Sequence, residues 1–318
     1  MFRHGRRLFS ATAAAALANL SAESSYSSLL SACEENQLDD GRLGRSCKLL
    51  VSLPSSYNTG AVRYPVLYVL DADHPCLFSL VATAARYGRL AAVAANRSYF
   101  PDFIVVGVSQ GEEQLSAPPS IVTSAIVEHV DFAFRTRPYA EMRALLGYGR
   151  GADSVIGCVG DEATSGRFGH LLIGSPTGAE ALGAASSRVA ASSAPPPAVY
   201  LAIDGQEGDA MLQAVRGLHV TLEAAAASAD ATAARTRSVV RVDRDGTQHV
   251  ESVASTGAAD EGAQAPPVTA ATLHVLAGEA PPMAVFAFAA HAVGWLGSRM
   301  EREKIARLHR HLPWHEFR

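Results

Sequence analysis

The sequence predicts an α/β protein built on one mostly parallel sheet with helices on both faces, and three observations carry that expectation. Short, almost wholly apolar runs recur at 66–70, 103–108, 143–146, 171–174, 198–203 and 273–276, the pattern of strands buried on both faces. Alanine-rich segments with helical spacing lie between them, notably at 77–95 and 120–139, so strand and helix alternate as in βαβ units. The composition suits a chain with a sizeable core: 318 residues, 48% hydrophobic and 18% charged, enough for one large domain.

Taken in order, the first strand, 48–53, closes at Pro54, where the backbone loses its donor, and 55–64 form a turn. The central strand 66–70 runs into Asp71-Ala72-Asp73 at its C-terminal end, the end at which open α/β sheets bind ligands. Helix 77–95, strand 103–108, helix 120–139 and the short strand 143–146 follow, then a small-residue helix at 152–159. Strands 171–174 and 198–203 are separated by a Ser/Ala/Pro-rich connection, 183–197. Residues 224–271 lose apolar periodicity and fill with Ala, Ser, Thr, Asp and Gly. So long a stretch reads as an insertion, either disordered or a surface for a partner. Within it, Val239-Val240-Arg241-Val242 and His249-Val250 frame a hairpin around Asp245-Gly246, a favoured turn dipeptide. Strand 273–276 and an apolar helix, 283–296, close the domain, which spans 46–298; a basic tail, 299–318, carries His309, His311, Trp314 and His315.

Charge and cysteine usage exclude several classes. The formal net charge is −4, so nucleic-acid contact is not indicated by any global basic field. Cys33, Cys47, Cys76 and Cys158 form neither a CxxC pair nor a Cys/His cluster, so no metal, cofactor or disulfide framework is expected and the thiols read as core or incidental. No apolar run is long enough to span a bilayer. Residues 1–22 carry Arg3, Arg6, Arg7, Ser10 and Thr12, with no acid before Glu23. That is the composition of a mitochondrial transit segment, and Arg6-Arg7-Leu8-Phe9-Ser10 resembles a processing-peptidase site. A matrix or matrix-facing location is expected; the alternative is an Ala-rich tail with incidental arginines.

The motif that should carry chemistry is Gly147-Tyr148-Gly149-Arg150-Gly151, between a short strand and a small-residue helix. This is the setting of the nucleophile elbow, G-x-S-x-G, whose outer glycines allow strand, turn and helix to approach closely. Here Gly149 holds the nucleophile position. It has no Oγ and cannot attack a carbonyl.

The string Tyr64-Pro65-Val66-Leu67-Tyr68-Val69-Leu70-Asp71-Ala72-Asp73 closely resembles the YPVLYLLDGD segment of the putative-esterase family, which includes siderophore-ester hydrolases and S-formylglutathione-hydrolase-like proteins. Residues 101–108 resemble that family's next strand. Residues 143–151 resemble its R-x-x-x-G-H-S-x-G-G elbow apart from the active-site positions, and 168–176 resemble the following strand with its Ser-Pro turn. The resemblance covers about 46–220 and 272–297. It implies an α/β-hydrolase fold, a catalytic acid near Glu207 or Asp209, and a histidine in a segment like G-E-x-H-G. This chain has Gly278-Glu279-Ala280-Pro281 there, so Pro281 replaces the base, and with Gly149 the site is expected to be degenerate.

Each candidate has a plainer reading. Glu207 and Asp209 serve equally as solvated loop charges. Asp73 lies where oxyanion-hole backbone would be, yet a carboxylate there more readily caps the helix beginning near Pro75. His74 and Arg150 border the site as candidates for anion binding, with Tyr148 beside them; His274, within an apolar strand, reads as a hydrogen-bonded core histidine. Ser109, Ser154 and Ser175 are the nearest substitute nucleophiles, and none sits in a G-x-S-x-G turn. The reading is a catalytically degenerate esterase-like protein acting with other mitochondrial proteins as a structural or interaction subunit, for example of the mitochondrial ribosome or a respiratory complex. The alternatives are an esterase or thioesterase with an atypical nucleophile, and a pseudoenzyme that binds a small ligand on fold analogy alone.

Overall fold

The computed structural model describes residues 33–39, 41–43, 47–72, 76–94, 100–109, 119–164, 166–192, 194–204, 207–242, 248–254, 271–276 and 281–309. The leader 1–22, Asp73, His74, Gly278 to Ala280 and residues 310–318 lie outside this set.

Eight strands form one sheet: β1 (Cys33–Leu38), β2 (Cys47–Ser52), β3 (Val66–Leu70), β4 (Ile104–Ser109), β5 (Arg143–Tyr148), β6 (His170–Gly174), β7 (Ala198–Asp204) and β10 (Ala271–Leu276), in the order β1-β2-β4-β3-β5-β6-β7-β10. From β4 to β10 every neighbouring pair is parallel, whereas β1 and β2 are antiparallel. All seven expected strands fall in this sheet. Strand β1 had no counterpart in the sequence reading because Cys-Glu-Glu-Asn-Gln-Leu is mostly exposed at the edge and carries no apolar run.

Strand β3 shows why the apolar runs are continuous. All five residues are buried; Val66, Tyr68 and Leu70 enter one core layer, and Leu67 and Val69 enter the other. Helices α1 (Leu77–Ala94) and α6 (Pro281–His309) cover the second layer, while α2 (Pro119–Ala133), α3 (Arg150–Cys158), α4 (Ala179–Ala191) and α5 (Asp209–Arg235) cover the first. Helices thus lie on both faces, as two-sided burial requires.

Several boundaries depart from the sequence reading. The helix expected to reach residue 139 ends at Ala133, because the chain beyond pairs with Tyr64: Tyr64 N–H donates to the Arg135 carbonyl and Arg137 N–H to that of Tyr64, each at 2.9 Å. Pro138 also disfavours a helical Arg137. Residues 183–191, read as connection, belong to α4, where the Ser186 and Ser187 hydroxyls turn back to the carbonyls of Leu182 and Gly183. The supposed insertion begins as helix, since α5 runs to Arg235; β8 (Thr236–Val242) and β9 (Gln248–Ala254) then pair antiparallel as a separate two-stranded sheet. The supposed tail starts inside α6, and Arg299 is buried there at 7% exposure. In α4 the small and polar residues accompany a packed face of Leu182, Ala185 and Val189, and that face rather than composition stabilises the helix.

Candidate functional site

The site is assembled at the C-terminal ends of the adjacent parallel strands β5, β6 and β7. Strand β5 ends at Tyr148, Gly149 makes the turn with φ 57° and ψ −122°, and α3 starts at Arg150. That backbone conformation lies outside the regions open to ordinary L-residues, and it is the sharp strand-to-helix turn of a nucleophile elbow. The turn is pinned by the Gly149 N–H, which donates to the Gly174 carbonyl at 2.9 Å.

The glycines of the motif have different roles. A Cβ at Gly147 would lie 2.2 Å from the Gly151 carbonyl oxygen, and one at Gly151 would lie 3.1 Å from the Leu70 oxygen and Asp71 Cβ. These two close contacts hold the helix against the strands. A Cβ at Gly149 would meet nothing within 4 Å. The turn therefore keeps room for a side chain at the nucleophile position, and this chain supplies none.

The Tyr148 ring lies over Gly174, whose added Cβ would be 2.7 Å from Tyr148 Cδ2, and against Phe288 of α6 with ring centroids 5.4 Å apart. Burial pushes the Tyr148 phenol above its ordinary range; the Ser175 hydroxyl beside it works in the opposite direction, and the nearby charges of Asp204 and Glu207 add to the upward push. The phenol is thus neutral at pH 7 and able both to donate and to accept a hydrogen bond. Ser175 is buried, sits at φ 40°, and its N–H donates to the Ala202 carbonyl at 2.9 Å. Asp153 of α3 ties the next loop down: its carboxylate accepts from Thr177 N–H at 2.9 Å, Gly178 N–H at 3.2 Å and the Thr177 hydroxyl, capping the start of α4 from a neighbouring helix.

Of the carried-over acids, Glu207 is near enough for its charge to act on the Tyr148 phenol, and Asp209 is the exposed first residue of α5. Asp204, the last residue of β7, is the carboxylate the sequence reading passed over; its one signal was its place at a strand end. Arg150 is exposed on the first turn of α3, and Asp73 and His74 lie outside the described residues. Pro281 is the first residue of α6, a position where the missing N–H is no loss. Ser109 ends β4 and Ser154 lies within α3. Among the described residues the Ser175 hydroxyl makes no hydrogen bond to a histidine. His274 is hydrogen-bonded as expected, its Nδ1 lying 3.0 Å from the Tyr200 hydroxyl, but it sits partly exposed on an edge strand rather than in the core. A cleft of about 540 Å³ lies at the opposite end of the sheet, against the starts of β6 and β7 and lined by Phe168, Val189, Pro196 and Arg299. It is separate from the elbow.

Comparisons with known proteins agree with this geometry. Residues 41–176 match the family model described as putative esterase. No curated protein shows significant sequence similarity to the chain. Among solved structures the fold is similar to the BES protein from Bacillus cereus, with a TM-score of 0.54, 13% identity, and 84% of this chain and 96% of that one covered. It is also similar to the enterobactin hydrolase IroE in complex with DFP, with a TM-score of 0.50, 13% identity and coverage of 83% and 94%. For an uncharacterised protein from Capnocytophaga ochracea the TM-score is 0.53 at 16% identity; 82% of this chain is covered, spanning 62% of that protein's length. Residues 41–176 are therefore similar to the putative-esterase family, and the chain carries an α/β-hydrolase fold.

Proposed function

We propose that this is an esterase-like protein without serine catalysis, acting through binding as an interaction subunit of a larger assembly in the mitochondrion. The observation that carries the reading is Gly149: the elbow is built, the space at its tip is open, and there is no hydroxyl to attack. Pro281 at the place of the family's base removes the proton acceptor as well, so neither step of acyl transfer has its usual agent. The arginine-rich, acid-poor residues 1–22 support the location. A second reading, that the old substrate site holds a small ligand without turning it over, is favoured by the Tyr148 ring lying over Gly174 and against Phe288 beside the open space at Gly149.

Purified protein should hydrolyse activated short-chain esters only at background rate and should not be labelled by a fluorophosphonate. Labelling of Ser109, Ser154 or Ser175, with turnover abolished on changing that serine to alanine, would overturn the catalytic half of the reading. Fractionation of mitochondria by size tests the other half, since a free monomer there, or a wholly cytosolic protein, contradicts an assembly subunit.

A further inference from the structure

We propose that His274 and His291 together form a binding site for one divalent transition-metal ion of the nickel, copper and zinc group. The two imidazoles come from different elements. His274 lies on the edge strand β10 and His291 on the exposed side of α6, and their ring centroids are 4.7 Å apart at an interplanar angle of 69°.

The register that brings them together is set one rung away. Side chains two apart on a strand share a face, and side chains four apart on a helix are neighbours. Thr272 and His274 on β10 thus face Trp295 and His291 on α6, with strand and helix running in opposite directions. The indole N–H of Trp295 donates to Thr272 Oγ1 at 3.1 Å, which fixes the first rung and so the spacing of the second. Trp295 also packs on Tyr200, centroids 5.6 Å apart, and that tyrosine orients His274 through the 3.0 Å contact with Nδ1.

That contact has a chemical consequence. A neutral imidazole ligates a metal through its unprotonated nitrogen, while the other ring N–H is held by an acceptor. In the tautomer whose Nδ1–H donates to the Tyr200 oxygen, Nε2 of His274 is left to ligate. Nitrogen donors suit nickel, copper and zinc and discriminate against magnesium and calcium. Among the described residues no third His, Cys, Asp or Glu joins the pair. The ion would keep water in its remaining positions and exchange readily, unlike a closed structural zinc site.

The test is a calorimetric titration of the full chain with Zn²⁺, with Mg²⁺ as the control ion. The His309→Ala/His311→Ala/His315→Ala variant removes competing histidines at the C-terminal end. The expected result is saturable uptake of about one Zn²⁺ by that variant and no heat with Mg²⁺. His274→Ala or His291→Ala in the same background should abolish uptake while leaving the far-ultraviolet dichroism unchanged. Tyr200→Phe should weaken affinity roughly 10-fold, the usual range for an outer partner of a metal-bound histidine. Uptake that persists in the His274→Ala/His291→Ala double variant, or a wild-type chain that binds no Zn²⁺, would overturn the proposal; His291 is exposed, so its replacement tests the site without threatening the fold.

Discussion

Replacing Gly147 by alanine should damage this fold more than placing serine at Gly149, although Gly149 is the residue with the unusual backbone. The added Cβ at 147 would lie 2.2 Å from the Gly151 oxygen, 2.3 Å from the Gly151 carbonyl carbon and 2.7 Å from the Ala152 nitrogen, where ordinary contacts begin at 3.4 Å. All three are backbone atoms of α3, so no side chain can rotate away. Relief requires moving a helix whose Ala152, Val155 and Ile156 are completely buried. Overpacking that displaces a core element belongs to the rare class of single changes costing more than about 4 kcal/mol. The Cβ of a serine at 149 meets nothing within 4 Å, so the main cost is the strain of its dihedral angles, about 1–3 kcal/mol. Gly151→Ala should fall between, with its Cβ 3.1 Å from the Leu70 oxygen. Urea denaturation followed by circular dichroism reads the ranking from the midpoints at a common slope. A Gly147→Ala protein as stable as wild type, or less perturbed than Gly149→Ser, would refute the close-approach account of the motif.

Two further outcomes follow from buried polar groups. The Asp131 carboxylate accepts from Thr136 Oγ1 at 2.6 Å and pairs with Arg143, whose side chain is only 10% exposed; Asp131→Ala strands that charge and should cost about 3–5 kcal/mol, whereas replacing both partners by apolar residues should recover most of it. Equal stability of the Asp131→Ala single variant and the apolar double variant in urea denaturation would refute this. Burial pushes the Cys158 thiol from its ordinary value of 9 up to about 12, and Asp161 adds to the shift. The folded state then keeps a proton that the unfolded state releases, so stability present below pH 9 is lost as pH rises toward 12. A Cys158→Ala protein should decline less steeply over that window, and parallel pH profiles would contradict it.

The sheet was legible because two-sided burial leaves a mark that side-chain period cannot disguise: β3 and β7 are apolar at nearly every position, since both of their faces touch core. The elbow was legible as well, because Gly147 and Gly151 are demanded by backbone proximity alone. What escaped was set by tertiary contact. Helix α5 passes through alanine, serine and threonine without a strong apolar stripe after Leu222, and β1 is held only as an exposed edge against β2. Asp204 escaped for a related reason. Its relation to Tyr148 depends on β7 lying two strands from β5 in the sheet, and no local spacing records that neighbourhood.

Gly149 also bears on how the turn is held. At φ 57° and ψ −122° a serine would hold strain, and strain of this kind is characteristic of sites where the surrounding structure overdetermines one conformation. Glycine adopts the same angles without that cost, so with glycine at 149 the turn is unstrained. The turn itself rests on contacts that do not involve residue 149's side chain: the Gly147–Gly151 approach, the Gly149 N–H to Gly174, and Asp153 anchoring the loop at Thr177 and Gly178. None of these depends on catalysis. The described part of the chain thus keeps the shape of the turn through backbone contacts and the Asp153 anchor, and a side chain at position 149 is not among its supports.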